Sequence, residues 1–159
     1  MAVETVSATK RGTNNAAGHG LASNVKVLVS TGEMPAAGSA TSTIDFGEIP
    51  NNARILPQST VYWDDLASTG SPTLDIGLFA VNGNITSDDD AFKADLDVAA
   101  SASNSALVTA IENYGKRAWE FVNGQTSAPQ GNLAVKGTIK DAAVNTGGTI
   151  TLVLYYTVD

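Results

Sequence analysis

The residues best able to do chemistry in this chain are two groups of neighbouring carboxylates, Asp64-Asp65 and Asp88-Asp89-Asp90. Paired carboxylates hydrolyse glycosides when burial raises the pKa of one of them, and calcium binds carboxylate oxygens. Each group also has a plainer interpretation: Asp64-Asp65 would end a strand, and Asp88–Asp90 would cap a short helix or lie in a solvated loop. The second group lacks EF-hand spacing. We therefore expect no catalytic pair and no metal, with calcium at Asp88–Asp90 left open.

Nucleophilic and transition-metal chemistry have few residues to use. The chain contains no cysteine and a single histidine, His19, in the passage AAGHGL. Disulfides, thiol nucleophiles and thiolate metal sites are thereby excluded, as are metal motifs that need two histidines. His19 has no neighbouring acid or nucleophile with which to form a triad. We expect a protein that is not an enzyme and has no cofactor.

Charge and hydropathy exclude two further classes of partner. Nine Lys and Arg against sixteen Asp and Glu give a net charge of -7, whereas nucleic-acid binding needs clustered positive charge. No apolar run approaches the roughly 20 residues of a membrane span, and MAVETVSATKRG has no apolar core typical of a signal peptide. Only 16% of the 159 residues are charged, below the ~25% of ordinary soluble proteins. Low surface charge reduces the cost of docking onto another protein.

The chain divides into an arm and one domain. Residues 1–23 are mostly small and polar and follow neither a strand nor a helix period, which predicts a flexible, extended arm with little internal structure. Residues 24–159 alternate apolar and polar side chains and are long enough for one core. The arm is expected either to be a disordered terminus or to become ordered against a partner.

Period-two alternation predicts about seven or eight strands after the arm. The clearest of them cover 25–30, 41–46, 53–66, 73–81, 133–140 and 149–159. Pro57 should split the third strand, and Pro50 should prevent ladder pairing just before it. Asn82-Gly83-Asn84 predicts a turn. Many short strands separated by turn residues predict an all-β, antiparallel sandwich that resembles a jelly roll.

The middle and the end of the chain give less regular signals. A short helix is expected over 87–96, residues 101–111 fit either helix or strand, and 117–122 alternates like a strand. The strands 133–140 and 149–159 are joined by the turn residues NTGG and predict a C-terminal hairpin. Its last strand has apolar side chains on both faces and should be central in its sheet.

Several aromatic and apolar side chains are candidates for a subunit interface. Neighbours in a strand face opposite ways, so one of Tyr62 and Trp63 should enter the core while the other faces outward. Stacking of the exposed ring on a sugar is the alternative. The second apolar face of the last strand needs a cover, which a neighbouring subunit could supply. The predicted interface residues are Tyr62, Trp63, Val153 and Tyr155.

Three passages together resemble a family of structural proteins from tailed bacteriophages, often encoded beside the major capsid protein. They are the arm leading into VKVLVST, the central GEIPNNARILPQSTVYWDDLASTGSPTLDIGLF, and the ending GGTITLVLYYTVD. The similarity covers residues 24–81 and 132–159. The segment 84–130 has no counterpart in this resemblance.

The resemblance implies a capsid decoration, or cement, protein on the outer surface of the virion, where it would bridge subunits of the major capsid protein as a homo-oligomer, most often a trimer. An arm of this kind would contact the shell, for example by adding a strand to a sheet edge. The alternatives are a glycan-binding head-fibre or tail adhesin domain and, less consistent with the carboxylates, a hydrolase. The arm residues expected to contact the capsid are Val3, Val6, Lys10, Arg11, His19 and Leu21.

Overall fold

The computed structural model describes residues 5–7, 9–13, 25–36, 38–67, 69–99 and 102–158, and for the first two ranges it describes the backbone alone. Almost all of the regular structure is β strand. Two 3₁₀ helices, Ile111–Asn113 and Ala118–Phe121, lie between the ninth and tenth strands. The strands are β1 (Thr5–Ser7), β2 (Thr9–Thr13), β3 (Lys26–Met34), β4 (Thr43–Pro50), β5 (Ala53–Ile55), β6 (Thr60–Trp63), β7 (Thr73–Phe79), β8 (Asp88–Asp97), β9 (Ser103–Ala106), β10 (Asn132–Lys140) and β11 (Gly148–Val158).

The strands form two sheets packed face to face. The first sheet has the order β1-β4-β10-β7-β8, and the second has the order β2-β3-β11-β6-β9, with β5 also paired to β11. The described pairs are antiparallel except for β1, which runs parallel to β4. The eight strands β4-β10-β7-β8 and β3-β11-β6-β9 have the order of a jelly roll. The predicted all-β sandwich is confirmed.

The core lies between the sheets and follows from the alternation. On β11, Ile150, Leu152 and Leu154 are fully buried, and Ile44 and Phe46 on β4 face them from the other sheet. Each such side chain contributes roughly 1.5–3 kcal/mol when it is removed from water. Burial of these alternate apolar side chains therefore determines which face of each strand points to the core and which points outward.

The predicted C-terminal hairpin is wrong. β10 lies between β4 and β7 in the first sheet, whereas β11 lies between β3 and β6 in the second. Both edges of β10 are already paired, so the last strand cannot add to it. Residues 141–147 cross from one sheet to the other instead. The expected central position of the last strand is confirmed.

The middle of the chain contains no helix of the predicted kind. Residues 88–97 form β8 rather than a short helix, and 118–121 form a 3₁₀ helix rather than a strand. The undecided segment, 101–111, contains β9, and its last residue, Ile111, begins the first 3₁₀ helix. Within 84–130, the predicted helix is therefore a strand, and the predicted strand is a 3₁₀ helix.

The two prolines behave differently. Pro57 separates β5 from β6, as predicted. Pro50 ends β4 opposite Asn132, and residues 47–49 pair with 133–135, so the expectation that it prevents pairing there is wrong. A proline at the end of a strand removes only the last possible ladder bond.

The expectation of little regular structure in residues 1–23 is wrong for two short stretches. β1 pairs with β4, and β2 pairs with β3. Each therefore extends one sheet by a further strand. The rest of the predicted arm, residues 1–4, 8 and 14–23, lies outside the described residues.

Candidate functional site

The middle of the outer face of the second sheet is uncharged and is here called the neutral face; Glu33, opposite Thr149, and Arg54, opposite Thr157, lie on the same outward side beyond its two ends. Its rows follow from the strand register: Val29 lies opposite Val153 and Val27 opposite Tyr155, while Tyr62 lies opposite both Thr151 and Asn104. None of its side chains is ionisable except through a tyrosine hydroxyl. It consists of Val27, Val29, Thr31, Thr60, Tyr62, Asn104, Ala106, Thr151, Val153 and Tyr155.

Three of the four predicted interface residues share this face. Tyr62 is 46% exposed, whereas Trp63 is 8% exposed and belongs to the core. Val153 and Tyr155 are half-buried on the outward side of β11. The prediction that Tyr62 and Trp63 face opposite ways is confirmed, and Trp63 is the one that packs inward.

The outer face of the first sheet is rich in charge. The Lys140 ammonium lies 2.5 Å from the Asp89 carboxylate and 3.6 Å from the Asp75 carboxylate. The Lys136 ammonium lies 3.8 Å from Asp45. The two sides of the sandwich therefore differ at their centres: the neutral face has no charged side chain, whereas the outer face of the first sheet carries paired charges.

Asp75 is the buried carboxylate that sequence reasoning did not single out. It is 5% exposed, and it accepts a hydrogen bond from the backbone N–H of Asp95. Hydrogen bonding to Asp89 is the largest cause that raises the pKa of Lys140, and the charge of Asp75 adds to it. A buried charge needs such a partner. The alternation of β7 places Asp75 on the outward side of the strand, and nothing in that pattern predicts that this side is covered.

On the same outward side of β7, next to Asp75, lies an acidic bulge of β8, residues 88–92. Between two ladder positions β7 advances two residues, from Leu78 to Ile76, while β8 advances five, from Asp88 to Lys93. The extra residues fold over Gly77, where a Cβ atom would overlap the Asp88 carbonyl oxygen. Glycine thus permits the bulge to lie directly on the sheet.

The bulge gathers three carboxylates. One oxygen from each of Asp88, Asp89 and Asp90 lies within 4.8 Å of the others. Asp88 accepts a hydrogen bond from the N–H of Asn123, and Asp89 pairs with Lys140. The hydrogen bond with Asp88 is the largest cause that raises the pKa of Asp90. Every carboxylate therefore has a partner within the protein, which favours a structural role for the group.

The pair Asp64-Asp65 closes a turn. Asp64 accepts the N–H of Asp65, and Asp65 accepts the N–H of Ala67, immediately after β6 ends at Trp63. The interpretation of this pair as a strand end is confirmed. One oxygen of each carboxylate accepts a hydrogen bond from the local backbone, and the bond from Ala67 to Asp65 has the spacing of an Asx turn.

An open depression of about 450 Å³ lies where loops meet at the end of the first sheet. Asn84 donates to the carbonyls of Gln130 and Asn132, and Asn132 donates to Glu48. Asn82 and Val81 complete the rim. Amide and carboxylate groups of this kind can bind hydroxyl groups, although several of them here hold the loops together.

Three of the six expected capsid-contact residues lie in the two N-terminal strands. Val6 lies in β1, and Lys10 and Arg11 lie in β2. Val3, His19 and Leu21 lie outside the described residues. Across the part of the chain that the structure describes, no helix has the length and apolar character needed to cross a membrane.

Neither the protein-family models nor the curated proteins include a match to this chain. Two solved structures have a similar fold. "Cyanophage Pam1 capsid asymmetric unit" aligns with a TM-score of 0.51 and 19% identity over 94% of this chain and 95% of that chain. "Capsid of Ralstonia phage GP4" aligns with a TM-score of 0.55 and 20% identity over 89% of this chain and 90% of that chain. At these identities the comparisons establish a shared fold.

Proposed function

We propose that this protein is a structural component of a bacteriophage virion that decorates the capsid exterior and stabilises it by bridging subunits of the major capsid protein. The observation that carries the proposal is the neutral face on a jelly roll whose fold recurs in two phage capsid structures. The carboxylates that could have suggested an enzyme have structural partners, which supports a role without catalysis.

The neutral face has the composition of an interface centre. Interface centres are depleted in charge and enriched in tyrosine, and this face contains Tyr62 and Tyr155 without a carboxylate, ammonium or guanidinium group. With strands ~4.8 Å apart and ~3.4 Å per residue, it covers roughly 300 Å². A standard interface buries roughly 800 Å² on each partner. The face therefore supplies the centre of a contact, and surrounding loops supply its rim.

The proposed partner for the neutral face is a second copy, in a homo-oligomer that is most often a trimer in the family resembled above. The N-terminal segment is proposed to contact the major capsid protein. Bridging of this kind uses a rigid β body and several weak contacts. Their combined affinity for the shell rises when the copies that make them are linked. The proposed contact residues are Val3, Val6, Lys10, Arg11, His19 and Leu21.

The experiment compares Tyr155→Glu and Tyr62→Glu with Tyr114→Glu. Tyr114, which follows the first 3₁₀ helix, is 51% exposed and is not a neutral-face residue, so its replacement is a matched control for an exposed aromatic. Light scattering should reveal an oligomer that the first two variants dissociate and the control does not. Circular dichroism should retain a β spectrum in all three.

Co-sedimentation with purified shells of the major capsid protein tests the second half of the proposal. The wild-type protein should sediment with shells, and loss of the oligomer should weaken its binding through lost multivalency. A monomeric wild-type protein that does not bind shells would contradict both the oligomer and the decoration role.

A glycan-binding adhesin domain is the second candidate, supported by the amide-lined depression beside Asn82 and Glu48. Amide side chains can pair with sugar hydroxyls. Binding to a panel of neutral oligosaccharides that is lost in Asn82→Ala, together with failure to bind shells, would favour this candidate.

A further inference from the structure

The two N-terminal strands lie on the same side of the sandwich. β1 adds to the β4 edge of the first sheet, and β2 adds to the β3 edge of the second. One residue separates them in the sequence. β3 and β4 are the first two strands of the jelly roll, and each lies next to the edge of its sheet. β1 and β2 therefore cover these two edges, one in each sheet.

These contacts are described by backbone register. Thr5 lies opposite Thr43 and Ser7 opposite Asp45 on the first sheet, while Thr9 lies opposite Thr31 on the second. Backbone ladders depend little on which copy supplies the strand, and an open sheet edge accepts a strand from another chain. The same segment of a second copy would therefore fit these edges with the same hydrogen bonds.

The connection between β2 and β3 is much longer than pairing within one chain needs. Residues 14–25 make twelve positions between Thr13 and Lys26, whereas hairpin loops usually have two to five. Twelve extended residues reach roughly 40 Å. A compact chain of 159 residues has a radius of gyration of roughly 15 Å, so it is about 40 Å across. The connection is long enough to reach an adjoining copy.

We propose that, in the assembled oligomer, residues 5–13 of each copy pair with the β3 and β4 edges of a neighbouring copy. Pairing within a chain and pairing between chains form the same bonds, so the choice depends on effective concentration. Copies held side by side offer an edge at a concentration similar to the chain's own. When each copy donates to the next, the exchange closes a ring. The inference rests on the homo-oligomer proposed above, which light scattering tests separately, and does not depend on a capsid role.

The test uses the absence of native cysteine. Thr9 and Thr31 are register partners on antiparallel strands, whose Cα separation lies in the range that disulfides span. Chains carrying Thr9→Cys alone and chains carrying Thr31→Cys alone, with different tags, are co-expressed, and the purified protein is oxidised. Exchange predicts a covalent heterodimer as the main linked species on a non-reducing gel.

Two controls make the result decisive. Thr9→Cys co-expressed with Ala94→Cys should give no heterodimer, because Ala94 is exposed on β8, at the far edge of the other sheet and outside the neutral face. The doubly substituted chain Thr9→Cys/Thr31→Cys should give linked oligomers if strands exchange and a linked monomer if they do not. Circular dichroism checks that each variant folds.

A second pair examines the other sheet. Thr5→Cys and Thr43→Cys, in separate co-expressed chains, should also form a heterodimer, because these residues are partners between β1 and β4. Absence of links between chains for both pairs, or a doubly substituted chain that links only within itself, overturns the inference. Either result leaves shell binding as a separate question, since that is measured on the unmodified protein.

Discussion

Gly77 on β7 lies directly beneath the backbone carbonyl of Asp88 on β8, with no room between them for a side chain. The contact allows the acidic bulge to fold back over the first sheet and cover Asp75. Part of the outer side of this sheet is thus covered by the chain's own backbone, and Lys140 on the neighbouring strand β10 pairs with Asp75 of β7 and Asp89 of the bulge.

Replacing Gly77 tests this contact directly. Gly77→Ala should lower the free energy of unfolding by about 3 kcal/mol, because the new Cβ overlaps backbone that cannot move without breaking the bulge. Without the overlap, alanine would stabilise a strand slightly. Urea unfolding monitored by tryptophan fluorescence measures the change.

The control for Gly77 is Gly83→Asn. Gly83 has a φ of +74° and open space around it, and asparagine tolerates that conformation better than other side chains. It should cost less than about 1 kcal/mol. If the two variants are equally stable, the bulge does not lie against Gly77 as described.

Lys140 should matter more than Lys136. Lys140→Met leaves the Asp75 carboxylate, whose side chain is 8% exposed, without a cation, and we expect a loss of about 2 kcal/mol. Lys136→Met removes a longer pair with the more exposed Asp45 and a cation–π contact with the Phe79 ring, which together should cost about 1 kcal/mol or less. Chemical denaturation of both variants gives the comparison.

A double variant separates the charge from the packing. Asp75→Asn in the Lys140→Met background removes the uncompensated carboxylate and should restore part of the lost stability. Equal losses in the Lys136 and Lys140 variants would mean that Asp75 does not depend on its cation.

Asp90 should make the protein more stable in mild acid. Its pKa is raised, chiefly by the hydrogen bond with Asp88, so the folded state holds this proton more tightly than the unfolded chain does. The contribution is present at low pH and is lost as the pH rises from the ordinary value of an aspartate through the raised pKa. Asp90→Asn should therefore stabilise the protein at pH 7, by about 0.5 kcal/mol as for other exposed charges.

The pH profile identifies the cause. The difference in unfolding free energy between Asp90→Asn and wild type should shrink as the pH falls below the raised pKa of Asp90. Glu112→Gln removes the same charge in the exposed 3₁₀ segment and serves as the control. A pH-independent advantage of the Asp90 variant would contradict the shared-proton explanation.

Calcium should leave the unfolding temperature unchanged. Asp88 and Asp89 are engaged by Asn123 and Lys140, so a cation would have to displace existing partners. Thermal unfolding in excess calcium is compared with unfolding in EDTA. A calcium-dependent rise that disappears in Asp88→Asn would instead reveal a calcium site, because a ligand that binds the folded state raises its stability.

The spacing of the buried residues in β8 explains why the sequence predicts a helix where the structure has a strand. Phe92 and Leu96 are both buried, and their separation of four residues is a helical spacing. The separation arises because β8 advances three residues, from Lys93 to Leu96, while β7 advances two. Asp95, with a φ of +52°, lies within this irregularity. A bulge inserts one residue and shifts the period of two.

Periodicity predicted the strands better than it predicted their partners. The alternation of 149–158 correctly identified a central strand and its inward side, because both follow from local burial. It could not reveal that β11 pairs with β3 and β6, since those partners lie far away in sequence. The burial of Asp75 was missed for the same reason: its cover comes from a bulge elsewhere in the chain.

The pairing of β3 with β11 has a consequence for how the protein is made. Thr31 and Thr151, whose hydroxyls are 2.9 Å apart, are separated by 120 residues. Contacts so distant in sequence make folding slow, because a long loop must close before they form. The second sheet lacks its central strand until β11 has been synthesised. The sandwich therefore cannot close before β11 is available, and a chain cut short before β11 leaves the inner edges of β3 and β6 unpaired.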